Sequence, residues 1–143
     1  MIEHAYVGGC SCGAIELRID GRPAAMGFCH CIGCRKWSAS PVSAFTLWQR
    51  FALSITRGAK LVGAYIESER NVRKWCTRCG GHLFTEHPGW GLVDVHAGVL
   101  PGFPFDPQFH LNYGEHALRM EDGLPKMRDL PFEMGGSGRT MPE

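Results

Sequence analysis

The sequence lacks an excess of charge of either sign, and it lacks any long apolar run. Its 15 lysines and arginines almost balance its 14 aspartates and glutamates. A chain of this balance offers no basic surface for a phosphate backbone, so we expect no nucleic-acid partner. No apolar stretch approaches the ~18 residues needed to span a membrane, and the first four residues, MIEH, do not begin a signal peptide. We therefore predict a cytoplasmic protein with no membrane partner.

A sustained helical periodicity is also absent. The 143 residues include 19 glycines and 9 prolines, which favour turns and short strands over long helices. Apolar and polar side chains alternate most clearly over residues 14–20, a pattern typical of a half-buried strand. Similar patterns predict further strands at residues 42–48, 51–56, 61–67, 82–85, 92–98 and 109–113. We predict a mostly antiparallel β fold with short helical turns at most.

No internal repeat or linker divides the chain, and its length is ordinary for one domain with a buried core. A run of small residues, Gly135-Gly136-Ser137-Gly138, lies near the C-terminus. We therefore predict one domain over residues 1–132 and a flexible tail over residues 133–143. Residues 36–41 are predicted to form a loop.

The seven cysteines fall into three groups, with two, three and two members. An odd number would leave one thiol outside a disulfide framework, and thiols stay reduced in the cytosol. Clustered reduced cysteines indicate metal binding. The groups are Cys10 with Cys12, then Cys29 with Cys31 and Cys34, then Cys76 with Cys79.

Two of these groups are close pairs that together supply four sulfur ligands. Two such pairs separated by a long insert are the usual way to build a tetrahedral four-sulfur zinc site. We predict a structural zinc, because a closed shell of four thiolates leaves no position for a substrate. Ordinary buried cysteines are the alternative, which the doubled pairing and the flanking glycines disfavour. The predicted ligands are Cys10, Cys12, Cys76 and Cys79.

The third group, Cys29, Cys31 and Cys34, supplies one thiolate fewer than a closed site needs. Three protein ligands and an exchangeable fourth position are typical of a catalytic zinc. Neighbouring side chains of an extended segment point to opposite sides, so His30 is expected to face away from the metal. The alternative is a second structural zinc closed by a remote donor. Candidate donors are His82, His87, His96 and His110.

A zinc bound by three thiolates suits a reaction between a thiol and an aldehyde. It can lower the pKa of a substrate thiol, or it can polarise a carbonyl oxygen as a Lewis acid. Arg35 and Lys36 directly follow Cys34 and can receive the carboxylate of an acidic thiol, although they serve equally as solvated surface cations. His30 and His96 are candidate proton shuttles.

With this order of cysteines, the chain resembles the glutathione-dependent formaldehyde-activating enzyme family, whose domain is shared with centromere protein V. The similar segments lie in order over roughly residues 5–112. They are residues 9–13 (GCSCG), 29–35 (CHCIGCR), 75–80 (WCTRCG), 94–98 (DVHAG) and 110–111 (HL). The resemblance implies an antiparallel β-tent similar to the Mss4-like fold, within a single zinc-binding domain.

The resemblance also implies two zinc ions and a reaction. It implies a structural zinc at Cys10, Cys12, Cys76 and Cys79, and a catalytic zinc at Cys29, Cys31 and Cys34. The family's named activity is formation of S-(hydroxymethyl)glutathione from glutathione and formaldehyde, classed as a carbon–sulfur lyase. The implied partners are therefore a glutathione-like thiol and an aldehyde.

The chain departs from the family's pattern at two places. Trp75 stands where the family more often has Phe. Residues 112–116 (NYGEH) stand where better-known members carry a Ser-Arg-Pro-x-Trp-like segment, so the substrate can differ if that region shapes the pocket.

Two other functions fit the same residues. The first is a non-catalytic, zinc-stabilised module that binds protein or nucleic acid, with the four tryptophans as candidate interface residues. The second is a related enzyme that acts on another thiol adduct. Binding of a small thiol at residues 29–34 distinguishes both enzymes from the binding module.

Overall fold

The computed structural model describes residues 4–143 and groups them into two compact units. Unit 1 runs up to Ala25 and resumes over Thr46–Phe105. Unit 2 comprises Met26–Phe45 and Asp106–Glu143. Each cysteine cluster lies wholly within one unit. One domain over residues 1–132 stays a prediction.

Regular structure within residues 4–143 is mostly β, with one short α-helix, which confirms the predicted fold class. No helix in this part of the chain is long and apolar enough to cross a membrane. The helix α1 spans Ile32–Ser38. The strands are β1 Ala5–Gly9, β2 Glu16–Asp20, β3 Ala25–Cys29, β4 Ser43–Gln49, β5 Leu53–Arg57, β6 Val62–Ser68, β7 Asn71–Cys76, β8 His82–His87, β9 Leu92–His96, β10 Phe109–Leu111, β11 Lys126–Met127 and β12 Thr140–Met141.

Unit 1 is antiparallel and has an apolar core. Its strands form one sheet of order β1-β2-β5 and a second run of order β9-β8-β7-β6. In β2, Leu17 and Ile19 are fully buried while Arg18 and Asp20 are exposed, as the alternation predicts. The core gathers apolar side chains from both runs: Ile15, Leu17, Ile19, Trp48, Leu53, Leu83, Phe84, Val93, Val95 and Leu100.

Unit 2 contains strands in the order β12-β11-β10-β3-β4. Strand β10 is parallel to both of its neighbours, β3 and β11, which differs from the expected antiparallel pairing. The distance in sequence permits this, because a parallel pair needs a long crossover connection and some 80 residues separate β3 from β10. The register places Leu111 opposite Cys29. The residues that follow β10 therefore lie next to the first cysteine of the three-membered group.

One local prediction differs from the structure. Residues 36–41 were expected to form a loop, but residues up to Ser38 belong to α1. The Sγ atom of Cys31 accepts a hydrogen bond from the backbone N–H of Cys34 at 3.2 Å and so caps this helix. The flexible tail over residues 133–143 stays a prediction; this segment contains β12, which pairs with β11. The Glu143 carboxylate also accepts a hydrogen bond from the backbone N–H of Gly123 at 3.1 Å.

Candidate metal centres

The first metal centre is the four-thiol cluster of unit 1, formed by Cys10, Cys12, Cys76 and Cys79. Their sulfur atoms all lie within 4.8 Å of one another. The Sγ atom of Cys12 is 3.6 Å from that of Cys10 and 3.9 Å from that of Cys76. Sulfur atoms bound tetrahedrally to zinc at the usual bond length would lie about 3.8 Å apart. The cluster therefore fits a zinc ion.

Both pairs of this cluster lie on tight turns that end at a glycine with positive φ. Gly13 has φ of 76° and Gly80 has φ of 78°. Their backbone N–H groups donate to the carbonyls of Cys10 and Cys76, at 3.0 and 2.8 Å. Any other L-residue would strain these turns, at a cost of roughly 1–2 kcal/mol. The glycines noted beside the cysteines in the sequence therefore have a defined geometric role.

Backbone N–H groups point at the sulfur atoms of this cluster. The Ile15 N–H donates to Cys10 Sγ at 3.2 Å. Arg78 and Cys79 both donate to Cys76 Sγ, and Gly81 donates to Cys79 Sγ, each at 3.4 Å. The Gly81 hydrogen bond is the main reason that the pKa of Cys79 falls to about 6. The main chain therefore stabilises the thiolate forms that a metal requires.

A cavity of about 610 Å³ lies beside the four-thiol cluster in unit 1. Cys10, Gly81 and Arg57 are among its lining residues. The Arg57 guanidinium donates to the Glu16 carboxylate at 3.3 Å and to the Gly13 carbonyl at 2.9 Å. A metal closed by four thiolates has no position for a substrate. The cavity therefore does not by itself make this cluster a reaction site.

The second metal centre is the three-thiol cluster of unit 2, formed by Cys29, Cys31 and Cys34. Their sulfur atoms also lie within 4.8 Å of one another. Cys29 ends β3, Cys31 caps α1, and Cys34 lies in the first turn of that helix. A strand end, one linking residue and a helix start thus bring three thiols together within six positions. No histidine or carboxylate of residues 26–45 or 106–143 joins this group.

Asn112 directly contacts the three-thiol cluster. Its side-chain Nδ2 donates to Cys29 Sγ at 3.6 Å. The residue follows β10 and has a positive φ of 54°, a conformation that asparagine adopts more readily than most residues. The sequence marked residues 112–116 only as a departure from the family pattern. The contact with Cys29 was not predicted, because it depends on the register between β3 and β10.

Crowding of the three thiols opposes their ionisation. The hydrogen bond with Cys31, together with burial, raises the pKa of Cys29 to about 12. Hydrogen bonds with Cys29 and Cys31 also raise the pKa of Cys34. Three thiolates so close together need a compensating cation. A divalent metal supplies that charge and displaces the protons, so the donor set fits zinc.

A chain of buried polar side chains runs from the same segment into unit 2. His30 Nε2 is 2.8 Å from His110 Nδ1, and His110 Nε2 is 2.7 Å from Asp122 Oδ2. Lys126 Nζ donates to Asp122 Oδ1 and, at 3.0 Å, to Glu143 Oε2. Both histidines are fully buried, and Lys126 is 2% exposed. We refer to His30, His110, Asp122 and Lys126 as the buried polar chain.

Environment sets the charges along the buried polar chain. Burial, followed by the nearby His110, lowers the pKa of His30 to about 4, so its imidazole is neutral at pH 7. Burial opposes ionisation of Asp122, but hydrogen bonds from Lys126 and His110 outweigh it and hold the pKa of this carboxyl below its usual range. Burial likewise opposes the charge on Lys126, but Asp122 and Glu143 raise its pKa. The chain thus ends in an ion pair between the buried Lys126 and Asp122, whose side chain is 31% exposed.

The other histidines predicted as remote donors lie outside the three-thiol cluster. His110 belongs to the buried polar chain, and His82, His87 and His96 belong to unit 1. Burial lowers the pKa of His96 to about 4, and its Nε2 atom has no hydrogen-bond partner within residues 4–143. Arg35 Nε donates to the His30 carbonyl at 3.2 Å, which ties α1 to the segment before it.

Known proteins resemble the chain in sequence and fold. A lyase of Schizosaccharomyces pombe, named as uncharacterized, is 35% identical over 79 residues. That match covers 55% of this chain and 56% of the yeast protein, so the chain spans about half the length of this relative. A Penicillium rubens protein, provisionally named a glutathione-dependent formaldehyde-activating enzyme, is 27% identical over 136 residues, which cover 87% of this chain and 71% of that protein.

A solved Rhodobacter sphaeroides protein shares the fold, with a TM-score of 0.57 and 21% sequence identity. The superposition covers 68% of this chain and 89% of that one. The sequence profile described as glutathione-dependent formaldehyde-activating enzyme matches residues 5–131, which include all seven cysteines. The chain therefore belongs to the glutathione-dependent formaldehyde-activating enzyme family.

Proposed function

We propose that this protein is a zinc-dependent carbon–sulfur lyase. Its substrates are glutathione and formaldehyde, which combine to S-(hydroxymethyl)glutathione, or a related thiol and aldehyde. The observation that carries this proposal is the three-thiol cluster, because three sulfur atoms lie within 4.8 Å of one another and unit 2 supplies no fourth donor. Membership of the family and the lyase name of the yeast relative support the reaction class.

We assign a structural zinc to the four-thiol cluster and a second zinc to Cys29, Cys31 and Cys34. When bound, the second zinc supplies a Lewis acid with one exchangeable position. The three thiolates hold it, and hydrogen bonds from Asn112 and from the Cys34 N–H reduce the charge on two of them. In the overall reaction the thiol S–H adds across the carbonyl: a carbon–sulfur bond forms and the carbonyl oxygen receives the proton.

Arg35 is the residue that we assign to the substrate's carboxylate. Its Nε group already donates to the His30 carbonyl, which fixes the guanidinium next to the segment that carries Cys29 and Cys31. The terminal nitrogen atoms of the same guanidinium are suited to a bidentate contact with a carboxylate. Glutathione carries two carboxylates, so this contact would favour it over an uncharged thiol.

Replacement of one ligand of the three-thiol cluster tests the proposal. Cys31→Ser should reduce the zinc content from two ions per chain to one. It should also slow adduct formation from glutathione and ¹³C-formaldehyde, followed by NMR, to the rate without protein. Because the four-thiol cluster is intact, the far-ultraviolet circular dichroism spectrum should match that of the wild type. Full turnover by a folded Cys31→Ser protein would refute the assignment of the reactive zinc to the three-thiol cluster.

A titration with small thiols separates the enzyme from the binding module. Glutathione should perturb the NMR signals of residues 29–34 in the zinc-loaded wild-type protein, and Arg35→Met should weaken the binding of glutathione but not of 2-mercaptoethanol. If no small thiol perturbs this segment, the protein is better described as a zinc-stabilised binding module.

A further inference from the structure

We propose that the buried polar chain positions the three-thiol cluster, with Asp122 as its anchor. Through His110, Asp122 fixes the ring of His30 and with it the segment that carries Cys29 and Cys31. This inference rests on the proposed function only in taking the three-thiol cluster as a metal site. It assigns Asp122 and His110 as positioning residues, although neither belongs to the cluster.

The hydrogen bonds of the chain orient both histidine rings. A carboxylate only accepts hydrogen bonds, so the His110 ring donates to Asp122 through Nε2–H. The other ring nitrogen, His110 Nδ1, is hydrogen-bonded to His30 Nε2. Each ring is thereby held in one orientation, in the way that carboxylates orient histidines near metal sites.

The anchor of the chain is itself held firmly. Asp122 Oδ1 accepts hydrogen bonds from Lys126 Nζ and from the Leu124 N–H, the latter at 3.0 Å. Lys126 is in turn bound to the Leu124 carbonyl and the Glu143 carboxylate, each at 3.0 Å. Because both carboxylate oxygens of Asp122 have partners, the group cannot rotate without breaking several charge-assisted hydrogen bonds.

At the other end, His30 is held through its backbone and through one nitrogen and the packing of its ring. Its N–H donates to the Leu111 carbonyl at 3.0 Å, and its carbonyl accepts from Arg35 Nε at 3.2 Å. The ring packs edge-on against Tyr113 with centroids 4.8 Å apart. His30 lies between two ligands in the chain, so fixing its backbone and its ring limits the movement of both neighbouring thiols.

Stability alone does not account for this arrangement. Replacing a buried charged network by apolar side chains of similar volume is often neutral or stabilising. Unit 1 of the same chain is built around an apolar core. Unit 2 buries Phe45, Leu111 and Tyr113, and it also buries two histidines and a lysine that are connected to the segment carrying the cluster. The location of the network is what indicates a role in positioning the ligands.

The test measures metal affinity in the full-length protein. Asp122→Asn should lower the affinity of the three-thiol cluster for Zn²⁺ and Co²⁺ by 10- to 100-fold in competition with a chelator, the usual effect of losing such a partner. The sulfur-to-cobalt absorption bands of the three-thiol cluster should also shift. These bands are the ones that Cys31→Ser lacks. The four-thiol cluster serves as an internal control and should keep its affinity. Asp129→Asn is the matched variant, because Asp129 belongs to unit 2 and its side chain binds Ser137, which lies outside the buried polar chain.

A double-mutant cycle tests whether the effect passes through His110. His110→Asn keeps an acceptor for His30 but breaks the connection to Asp122, so it should weaken metal binding to a similar extent. Adding Asp122→Asn to His110→Asn should then cause little further loss. Additive losses, or wild-type affinity and spectrum in folded Asp122→Asn, would overturn the inference. If Asp122→Asn does not fold, an unchanged cobalt spectrum in the single variant His110→Asn would overturn the inference.

The outcome is distinguishable from failure of the proposed function. Unchanged metal affinity in Asp122→Asn, with activity lost in Cys31→Ser, would refute only the positioning role. Conversely, the losses of metal affinity in Asp122→Asn and His110→Asn can prove coupled while the wild-type protein converts no thiol and aldehyde. That result would refute only the proposed reaction.

Discussion

The two cysteine clusters differ in what surrounds their sulfur atoms. In the four-thiol cluster, the main chain of tight glycine turns donates hydrogen bonds to Cys10, Cys76 and Cys79. In the three-thiol cluster, the backbone N–H of Cys34 donates to Cys31 and the side chain of Asn112 donates to Cys29, while the buried polar chain holds the segment. Backbone donors survive most substitutions, whereas a side-chain donor is lost when its residue is replaced. The hydrogen bonds to the four-thiol cluster are therefore less sensitive to mutation than those to the three-thiol cluster.

The interiors around the clusters differ in the same sense. Cys76 is fully buried and belongs to the apolar core of unit 1. The buried residues of unit 2 include two histidines and a lysine, whose stability depends on hydrogen bonding and charge. The stability of an apolar core depends mainly on side-chain volume, whereas the stability of a core with buried ionisable groups also depends on pH.

The largest expected effect is loss of folding when the four-thiol cluster loses a ligand. Cys76→Ser removes a buried metal ligand that is also a core residue. Apparent binding free energies of structural zinc reach about 10–16 kcal/mol, which exceeds the stability of most domains. We expect loss of most native circular dichroism signal, whereas Cys31→Ser keeps it. If Cys76→Ser unfolds cooperatively at a temperature close to that of Cys31→Ser, the expected difference between the two clusters is wrong.

A smaller effect, about 1.5 kcal/mol, is expected from acid, at the low end for charge-assisted hydrogen bonds because solvent reaches Asp122. The pKa of Asp122 is lower in the folded protein than its ordinary value of 3.8. Its stabilising contribution is therefore present above pH 3.8 and is lost as the pH falls through the lowered pKa.

Denaturant unfolding of the metal-loaded wild type and Asp122→Asn measures this contribution, from pH 5 down to the lowest pH at which both proteins keep their metal. The difference between the two free energies of unfolding should shrink as the pH falls. Leu83→Ala, in the apolar core of unit 1, is the control and should cost the same at every pH. A constant difference between wild type and Asp122→Asn would contradict the prediction.

The smallest effect concerns the side-chain donor to Cys29. Asn112→Gly removes the N–H···S hydrogen bond and keeps the positive φ without strain. We expect the three-thiol cluster to lose about 1 kcal/mol of metal-binding free energy, roughly fivefold in affinity, with no change at the four-thiol cluster.

Asn112→Ala separates the donor from the backbone. It should bind metal as weakly as Asn112→Gly but unfold at a lower denaturant concentration, because alanine is strained at this φ by about 1 kcal/mol. Equal loss of metal at both clusters in Asn112→Gly would show that the effect is global and not due to this hydrogen bond.

Local patterns in the sequence predicted much of the fold. Alternation located β2, and the apolar stretches located β4 and β9 to within a few residues. Cysteine spacing alone grouped the seven thiols as the structure does. These predictions succeeded because each depends on neighbours in the chain, whose side chains share a face or close a short chelate loop.

The features that the sequence did not predict are of two kinds. Some depend on nearby residues that match no common sequence pattern, and the others depend on contacts between residues far apart in the chain. Strand β3 (AMGFC) does not alternate, and α1 is capped by a cysteine in place of the usual Ser, Thr, Asp or Asn. The parallel pairing of β10 and the contacts of Asn112 and Asp122 connect residues 12 to 83 positions apart. The periodicity of apolar residues along the sequence does not indicate which distant residues are in contact. The buried polar chain therefore became visible only in three dimensions.

The distribution of the ligands along the chain also sets an order of events during synthesis. All three donors of the second metal centre have been translated once residue 34 is complete, whereas the first centre waits for Cys79 and must close a separation of 64 residues between Cys12 and Cys76. The three-thiol cluster can thus bind a metal in the nascent chain before the four-thiol cluster is complete. Strand β10, which carries His110 and precedes Asn112, emerges some 75 residues later and then orders a segment whose ligands are already together.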